Sequence, residues 1–511
     1  MNNDFLFNNF DNSNFHKYND IKAKTLRKKR FKSYTPDDHT FLHLDPEKMF
    51  PNGSFERFII DTVNQLNLEK FEYSQQEDLG GNEEYNPKAI LGLLFYGYAN
   101  GIFHSRKLES LCKHDIRYMF ISGHATPEHS TISRFIIKYS KEIKELFAQI
   151  LYIAIKSKYV SYKMIVIDGT KIKANAGEKF NGTIEDFKKK RKHLEKKIQE
   201  AINKQNASDK KEEAGYWKNK EERYKKEKEK ITGFLEQAHE VYTKANNEVK
   251  QNITDNDSRI MKEGGKGFIQ GYNSQISVCE KNAIIVASSV NNNAADKEQF
   301  KVMVEETIKT ASEYKKKLKK GKWISDNGYY STENIIYCDK ENIDAYISYK
   351  QDKKIYLEEE NPQEIELKNG CRMKGENIYC YGNKKLKLKR KRRSEGEIYC
   401  IYGIEDLKRC ENCSKFDECV GKNKNKEFWV KDKILKNIDK IINMRNKLRT
   451  KEGNMIYSRR MATIEKIFGY IKGILNFSRY TLRSIKKVEV QWKLLCSVYN
   501  IKRLYSLKYG N

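Results

Sequence analysis

The stretch from 183 to 250 constrains this chain more than any other. Lys, Glu, Gln and Asn dominate it, with sparse apolar residues (Phe187, Leu194, Ile198, Trp217, Ile231 and Leu235 among them) and no proline. Such a segment cannot bury enough apolar surface to form a core, but it can run as helix. It reads as two long solvated helices, a hairpin projecting from something else. Whatever is compact must therefore be assembled from sequence on both sides of it. The chain has 511 residues, too many for one ordinary domain. Hydrophobic residues make up 38% and aromatics 12%, which is enough to fill real cores.

Lys and Arg number 99 against 70 Asp and Glu, a net charge of +29. A surplus of that size points to a polyanion, most simply nucleic acid. No uncharged apolar run approaches the roughly 18 residues of a membrane span. The opening MNNDFLFNNFDNSNF lacks the basic-then-apolar layout of a signal peptide. The expectation is a cytoplasmic, nucleoid-associated protein whose ten cysteines are thiols or metal ligands, not disulfides.

Residues 1–85 read as a flexible arm and lead-in. Residues 86–160 read as a helical DNA-binding module. Asn86-Pro87 opens a helix with a cap and a first-turn proline. Ile90, Leu91, Leu94 and Tyr98 form its inner face, and Gly101 ends it. A helix over Ser105–His114, a break at Thr126-Pro127 and a helix capped by Ser130 follow. Helix, connector, helix is compatible with a helix-turn-helix that offers Thr131, Arg134 and Lys138 to DNA; a plain helical bundle with solvated cations fits the same pattern.

Lys163-Met-Ile-Val-Ile-Asp168 is a short apolar run ending in an acid, with Gly169 next. It reads as a buried strand that delivers a carboxylate at its end. Beyond the charged hairpin, Gly267–Val278 and Ala283–Val290 read as strands joined by a turn at Lys281-Asn282. A helix over about 296–319 follows, then a brief strand from Lys322 ending at Asp326, and a strand over Ile343–Tyr349. Strand, strand, strand, helix, strand, helix, strand is the layout of a ribonuclease-H-like mixed sheet. The expected fold is α/β: that catalytic core over 161–350 and 436–511, the N-terminal all-α module, the charged helical insertion at 183–250, and a β-rich insertion at 351–435.

The β-rich insertion holds six cysteines and the run Lys384–Arg393, in which Leu386 and Leu388 alternate with Lys. This reads as a basic edge strand. Lys389, Arg390 and Arg392 would meet phosphates through counterion release, although charge on an edge also guards a sheet against aggregation. Cys410-x2-Cys413-x5-Cys419, with Cys400 upstream, could hold a structural zinc.

From 436 the texture returns to helix. In Tyr457–Lys472, Ile464, Phe468 and Ile471 recur at helical spacing. At about 100° per residue Glu465 and Lys472 point within about 20° of each other, whereas Arg460 falls about 140° from Glu465.

These stretches resemble the DDE transposases of bacterial insertion sequences, of the broad IS4/IS5 type and closest to the IS1182 group. Val166–Ala176 resembles the motif of the first catalytic Asp, and Ile324–Tyr329 that of the second. Tyr457–Lys472 resembles the signature that carries Tyr, Arg, the catalytic Glu and Lys. Asp257–Lys262, Gly271–Asn273, Glu489–Leu495 and Tyr499–Arg503 resemble further strands and the closing helix, and residues 87–140 the N-terminal module. Four residues separate Arg460 from Glu465 where the broad signature has three; the six-residue step to Lys472 is intact.

The resemblance implies a catalytic triad of Asp168, Asp326 and Glu465 that also ligates two Mg²⁺ (with Mn²⁺ able to substitute), roughly 3.5–4 Å apart. Asp168 would bridge the ions. Tyr457, Arg460 and Lys472 would grip phosphates. It further implies cut-and-paste transposition on double-stranded DNA, at terminal inverted repeats and then at target DNA, by a homodimer that pairs two ends. A structure-specific nuclease on the same core, or a decayed transposase that only binds DNA, are the alternative readings.

Overall fold

The computed structural model describes residues 27–28, 31–35, 45–74, 83–208, 210–242, 246–263, 267–313, 321–349, 364–367, 371–375, 377–380, 382–394, 396–404, 410, 413–414 and 427–510. Much of the expected N-terminal arm lies outside them. Its described part is not loose throughout: helix α1 (Phe55–Gln65), capped by Ser54, buries Phe58, Ile59, Ile60 and Val63.

The helical module continues with α2 (Pro87–Ala99), α3 (Ser105–His114), α4 (Ile116–Ser122), α5 (His129–Lys138) and α6 (Ser140–Lys156). Asn86 caps α2 as its sequence implies, its side chain accepting the Lys88 N–H at 2.9 Å. The helix has no inner and outer face, however. Nearly all of it is buried, as a helix apolar on every side should be. Between Ser105 and Thr126 the chain forms two helices where the spacing predicts one. Asp115 separates them by leaving helical geometry and capping α4. Helix α5 starts one residue before Ser130, at His129, whose N–H is satisfied by Glu109 at 3.0 Å instead of by a local cap.

The central sheet contains β1 (Met164–Lys173), β2 (Arg259–Lys262), β3 (Phe268–Cys279), β4 (Ile284–Asn291), β5 (Lys322–Ser325) and β6 (Asp344–Ile347). Its order is β6-β5-β1-β3-β2, with β4 also paired to β3. β1 runs antiparallel to β3 and parallel to β5, which is itself parallel to β6. Asp168 therefore does not end its strand. β1 continues to Lys173 because β3 pairs it along nine positions, long after β5 has stopped.

Between β1 and β2 stand α7 (Ile184–Asn206) and α8 (Lys211–Gln237). Thr183 and Asp186 form a capping box at the start of α7, and Phe187, Leu194 and Ile231 make the hairpin's small core. Helix α9 (Gln299–Glu313) follows β4, and α10 (Thr332–Lys340) lies between β5 and β6.

The β-rich insertion is a six-stranded antiparallel meander of β7 (Glu364–Glu366), β8 (Arg372–Lys374), β9 (Asn377–Tyr379), β10 (Lys385–Ser394), β11 (Glu397–Gly403) and β12 (Phe428–Lys431). The basic strand β10 is not the sheet's edge in sequence order. It pairs β11 along its length, but β9 only at Lys385 and Leu386. Its second side from Lys387 onward carries no strand among the described residues.

Helices α11 (Ile438–Arg449), α12 (Lys451–Gly469) and α13 (Ile485–Tyr509) close the structure. One apolar core runs from Phe50 through β1, β3 and β4 to Leu504, so the helical module and the sheet share an interior. α13 holds them together. Gln491 donates to Tyr98 of α2 and to Thr481, and accepts the Thr481 N–H at 2.9 Å. Trp492, fully buried, donates to the Gln275 carbonyl at 3.1 Å; burying a side chain of that size contributes roughly 3 kcal/mol. Asn500 accepts the Ile285 N–H at 2.9 Å and donates to the Ile285 carbonyl at 2.8 Å, standing in for a strand beside the outer edge of β4.

Candidate active site

Strand register brings Asp168 and Asp326 together. β5 lies parallel to β1 with Ser325 opposite Ile167, so the next residue on each strand is an aspartate. There the paths part: β1 runs on, while Asp326 caps a short turn over Asn327–Tyr329. Each carboxylate is fixed locally by one backbone donor. Asp168 accepts the Gly169 N–H at 2.8 Å, and Asp326 accepts the Gly328 N–H at 2.9 Å.

Arg460 on α12 spans the pair. Its guanidinium lies 3.1 Å from Asp168 Oδ2 and 3.6 Å from Asp326 Oδ2. The three side chains are only 16%, 14% and 30% exposed, in the order Arg460, Asp168, Asp326. Burial pushes the Asp168 carboxyl well above the usual carboxylate range; Arg460 opposes this, and the charge of Asp326 adds to it. Asp326 is raised as well, again by burial first, with Arg460 and the Gly328 N–H opposing and Asp296 adding. For Arg460 burial disfavours the charge, but Asp168, Tyr457 and Asp326 outweigh it, and the net shift is upward.

A polar floor without a sequence motif underlies the pair. Asp296 accepts from Lys171 Nζ at 3.0 Å, from Asn273 Nδ2 at 2.7 Å and from Gln275 Nε2 at 2.8 Å. Gln275 in turn takes the hydroxyl of buried Tyr329. Lys171 and Asn273 lie within stretches that carry the family resemblance. Asp296, which the sequence reading missed, sits in the Asn-rich loop after β4. Gly169 has a steric role here: a Cβ on it would lie 2.1 Å from Gln275 Nε2.

Glu465 is not gathered with the two aspartates. It lies on α12 one turn and a half past Arg460, and its side chain is exposed. The inward face of α12 carries Tyr457, Arg460, Ile464 and Ile467, and Glu465 points about 140° from Arg460. Among the described residues no three His, Cys, Asp or Glu side chains stand as a ready metal set. Asp168 and Asp326 fit a hard divalent cation as far as two adjacent carboxylates can: both are partly shielded from solvent, and the Arg460 guanidinium already lies against both.

The remaining expected residues are dispersed. Tyr457 is buried beside the pair, its hydroxyl raised by burial and drawn down by a hydrogen bond with Ser348. Lys472 belongs to a π-helical turn, Tyr470–Ile474, so straight-helix angles do not reach it. Its Nζ donates to the Lys171 carbonyl at 2.9 Å and to Glu263 at 3.2 Å, which ties the turn to β1. In the helical module Thr131 is half-buried, Arg134 is exposed, and Lys138 pairs with Glu84 at 2.9 Å. On β10, Lys389, Arg390 and Arg392 are exposed; Arg390 meets Glu427 at 2.9 Å and Arg392 lies over the Trp429 ring.

The expected zinc set does not assemble. Cys419 lies outside the described residues. Cys400 is buried on β11 opposite Lys391, and its thiol donates to Asp432 at 3.3 Å. At about 3.3 Å per residue along β10, that places Cys400 roughly 20 Å from Lys384, the end of the strand where other cysteines gather.

Two family models match the chain. Residues 379–505 match a "Transposase DDE domain", and residues 44–138 match a "Transposase domain (DUF772)". No curated protein matches, and no solved structure matches. The first match contains Tyr457, Arg460, Glu465 and Lys472, and the second contains the helical module through Lys138. No helix among the described residues is long and apolar enough to cross a membrane. A helical transposase module ahead of a DDE domain is the arrangement of the IS1182 group, and the two matches together indicate an insertion-sequence DDE transposase.

Proposed function

We propose that this transposase cuts DNA at the ends of its element and joins the freed 3′-hydroxyls to target DNA, with Asp168, Asp326 and Glu465 as its catalytic acids. The observation that carries the reading is the register that sets Asp168 beside Asp326, with Arg460 of the signature helix across both. The sheet supports it. Three antiparallel strands (β1, β3, β4) flanked by two parallel ones (β5, β6) follow the order of a ribonuclease-H-like core.

Asp168 and Asp326 would hold divalent metal; Glu465, exposed and directed away from them on α12, would complete the set only once α12 turns that side chain toward the pair. When bound, such ions supply charge for the attacking and leaving oxygens of phosphodiester cleavage. The protein's own contribution is positioning. The Gly169 and Gly328 amides fix one oxygen of each aspartate and leave Oδ2 of both turned toward Arg460. The Lys171–Asp296–Gln275 network holds β1 and β3 in that register. Tyr457 backs Arg460. The exposed cations of β10 and α5 supply phosphate contacts away from the acids, and two copies would pair the two element ends.

The test is cleavage of supercoiled plasmid carrying the element's terminal repeats, with Mg²⁺ or Mn²⁺, followed by assay of joined products. Asp168→Ala, Asp326→Ala and Glu465→Gln should bind the DNA as the parent does but not cut it. Cutting by Asp168→Ala at the parent's rate sinks the assignment. Cleavage by the parent without joined products would indicate a nuclease instead.

A further inference from the structure

We infer that Cys371, Cys380, Cys410 and Cys413 form a structural zinc site at one end of the β-rich insertion. Arg372 of β8 pairs with Tyr379 of β9, so Cys371 and Cys380, one residue further out on each, are cross-strand neighbours at the open end of that hairpin. Both are buried.

After Cys380 the chain folds back sharply. Asn383 takes a left-handed conformation with φ +59°, the Cys380 N–H bonds the Lys384 carbonyl at 2.9 Å, and the Lys384 N–H points at the Cys380 sulfur at 3.3 Å. A backbone amide directed at a cysteine sulfur is an arrangement that stabilises a thiolate. The second arm arrives at the same turn. A Cβ on Gly382 would lie 2.7 Å from Cys413 Sγ and 3.9 Å from Cys380 Sγ, so the two sulfurs flank one backbone position that has no room for a side chain. Cys410 and Cys413 form a tight Cys-x2-Cys turn, closed by the Cys413 N–H to the Cys410 carbonyl at 2.9 Å, and Cys410 is buried.

Four cysteines from two separate segments therefore meet at one corner. Four thiolates are the ligand set of structural zinc, and each thiol gives up its proton on binding. The other fastening there is small: β7, β8 and β9 are three residues long apiece, and Met373, Ile378 and Leu386 pack with Phe428, Val430, Ile438 and Ile441, a core that a cross-link would reinforce. The four sulfurs do not surround a single point as they stand; side-chain rotation at this shared corner is the movement that the metal would impose. This set replaces Cys400 and Cys419 of the spacing-based reading with Cys371 and Cys380.

The full-length chain, purified without chelator, should carry about one zinc per chain by elemental analysis. Replacement with Co²⁺ should give the intense visible bands of a tetrahedral tetrathiolate site. Cys380→Ser and Cys413→Ser should lose the metal, and Cys400→Ser and Cys419→Ser should keep it. Should the ligand variants fail to fold, the cobalt spectrum of the parent and the metal content of Cys400→Ser still decide. Absence of retained zinc together with absence of the cobalt–thiolate spectrum overturns the inference. So does loss of metal in Cys400→Ser or Cys419→Ser with retention in Cys371→Ser.

Discussion

Replacing Gly169 with Ala should disturb the centre without touching a charged group. The added Cβ would stand 2.1 Å from Gln275 Nε2 and 2.8 Å from its carbonyl carbon. Neither can yield freely, because Gln275 donates to Asn273 and Asp296, both at 2.8 Å, and accepts from Tyr329. Overpacking of this kind costs about 1–3 kcal/mol, and each neutral hydrogen bond given up adds about 0.5–1.5 kcal/mol. With one or two such bonds broken, Gly169→Ala should cost about 2–5 kcal/mol. If the clash with Gln275 is the cause, shortening that side chain should remove it. Gln275→Ala alone destabilises by leaving Asp296 and Tyr329 short of a partner, but adding Gly169→Ala to it should cost little. The double-mutant cycle should then show a coupling close to the whole cost of Gly169→Ala, about 2–5 kcal/mol. Guanidinium denaturation followed by tryptophan fluorescence measures all four proteins. Equal cost of Gly169→Ala with and without Gln275 would refute the steric reasoning.

Asp168→Asn tests the burial of the acid. A folded-state pKa raised above the value of 3.8 means that the folded protein holds the proton more tightly than the unfolded chain. Stability from this group is therefore present at low pH and is lost as pH rises from about 4 through the folded value. The Asn variant lacks that loss, so its melting temperature should gain on the parent's between about pH 4 and 8; a constant difference over that range counts against it. Asn500→Leu should cost about 2–5 kcal/mol in denaturant titration, because it leaves the buried Ile285 amide and carbonyl unpaired, each worth about 1–3 kcal/mol. Neutralising Lys389, Arg390 and Arg392 together should weaken DNA binding across sequences. It should also flatten the slope of log affinity against log salt by about 0.9 for each phosphate no longer neutralised; an unchanged slope would exclude β10 from the interface.

The parts of this molecule that could be read from sequence are those set by local pattern. The charged hairpin, the two strands around Lys281-Asn282 and the cap at Asn86 follow from composition, alternation and turn chemistry within a few residues. The aspartates were readable because an apolar run before each one marks a buried strand. What escaped depends on distant partners. β1 outlasts its apolar run because β3, about a hundred positions away, pairs it to Lys173. Asp296 sits in a loop with no periodicity and matters only through Lys171, Asn273 and Gln275. Helical arithmetic did anticipate that Arg460 and Glu465 face different ways, and only the structure shows that Arg460 is the one turned to the aspartates. Lys472 departed from that arithmetic because the helix becomes π-helical at Tyr470.

The charged hairpin leaves the core and re-enters it through one doorway. Asn181-Gly182 at its start pairs directly with Gln251-Asn252 at its end, so everything between hangs from a two-rung clasp. At about 1.5 Å per residue, a helix the length of α8 carries the tip some 40 Å outward. A graft with neighbouring endpoints can be lengthened, trimmed or exchanged while the strands beneath keep their alignment.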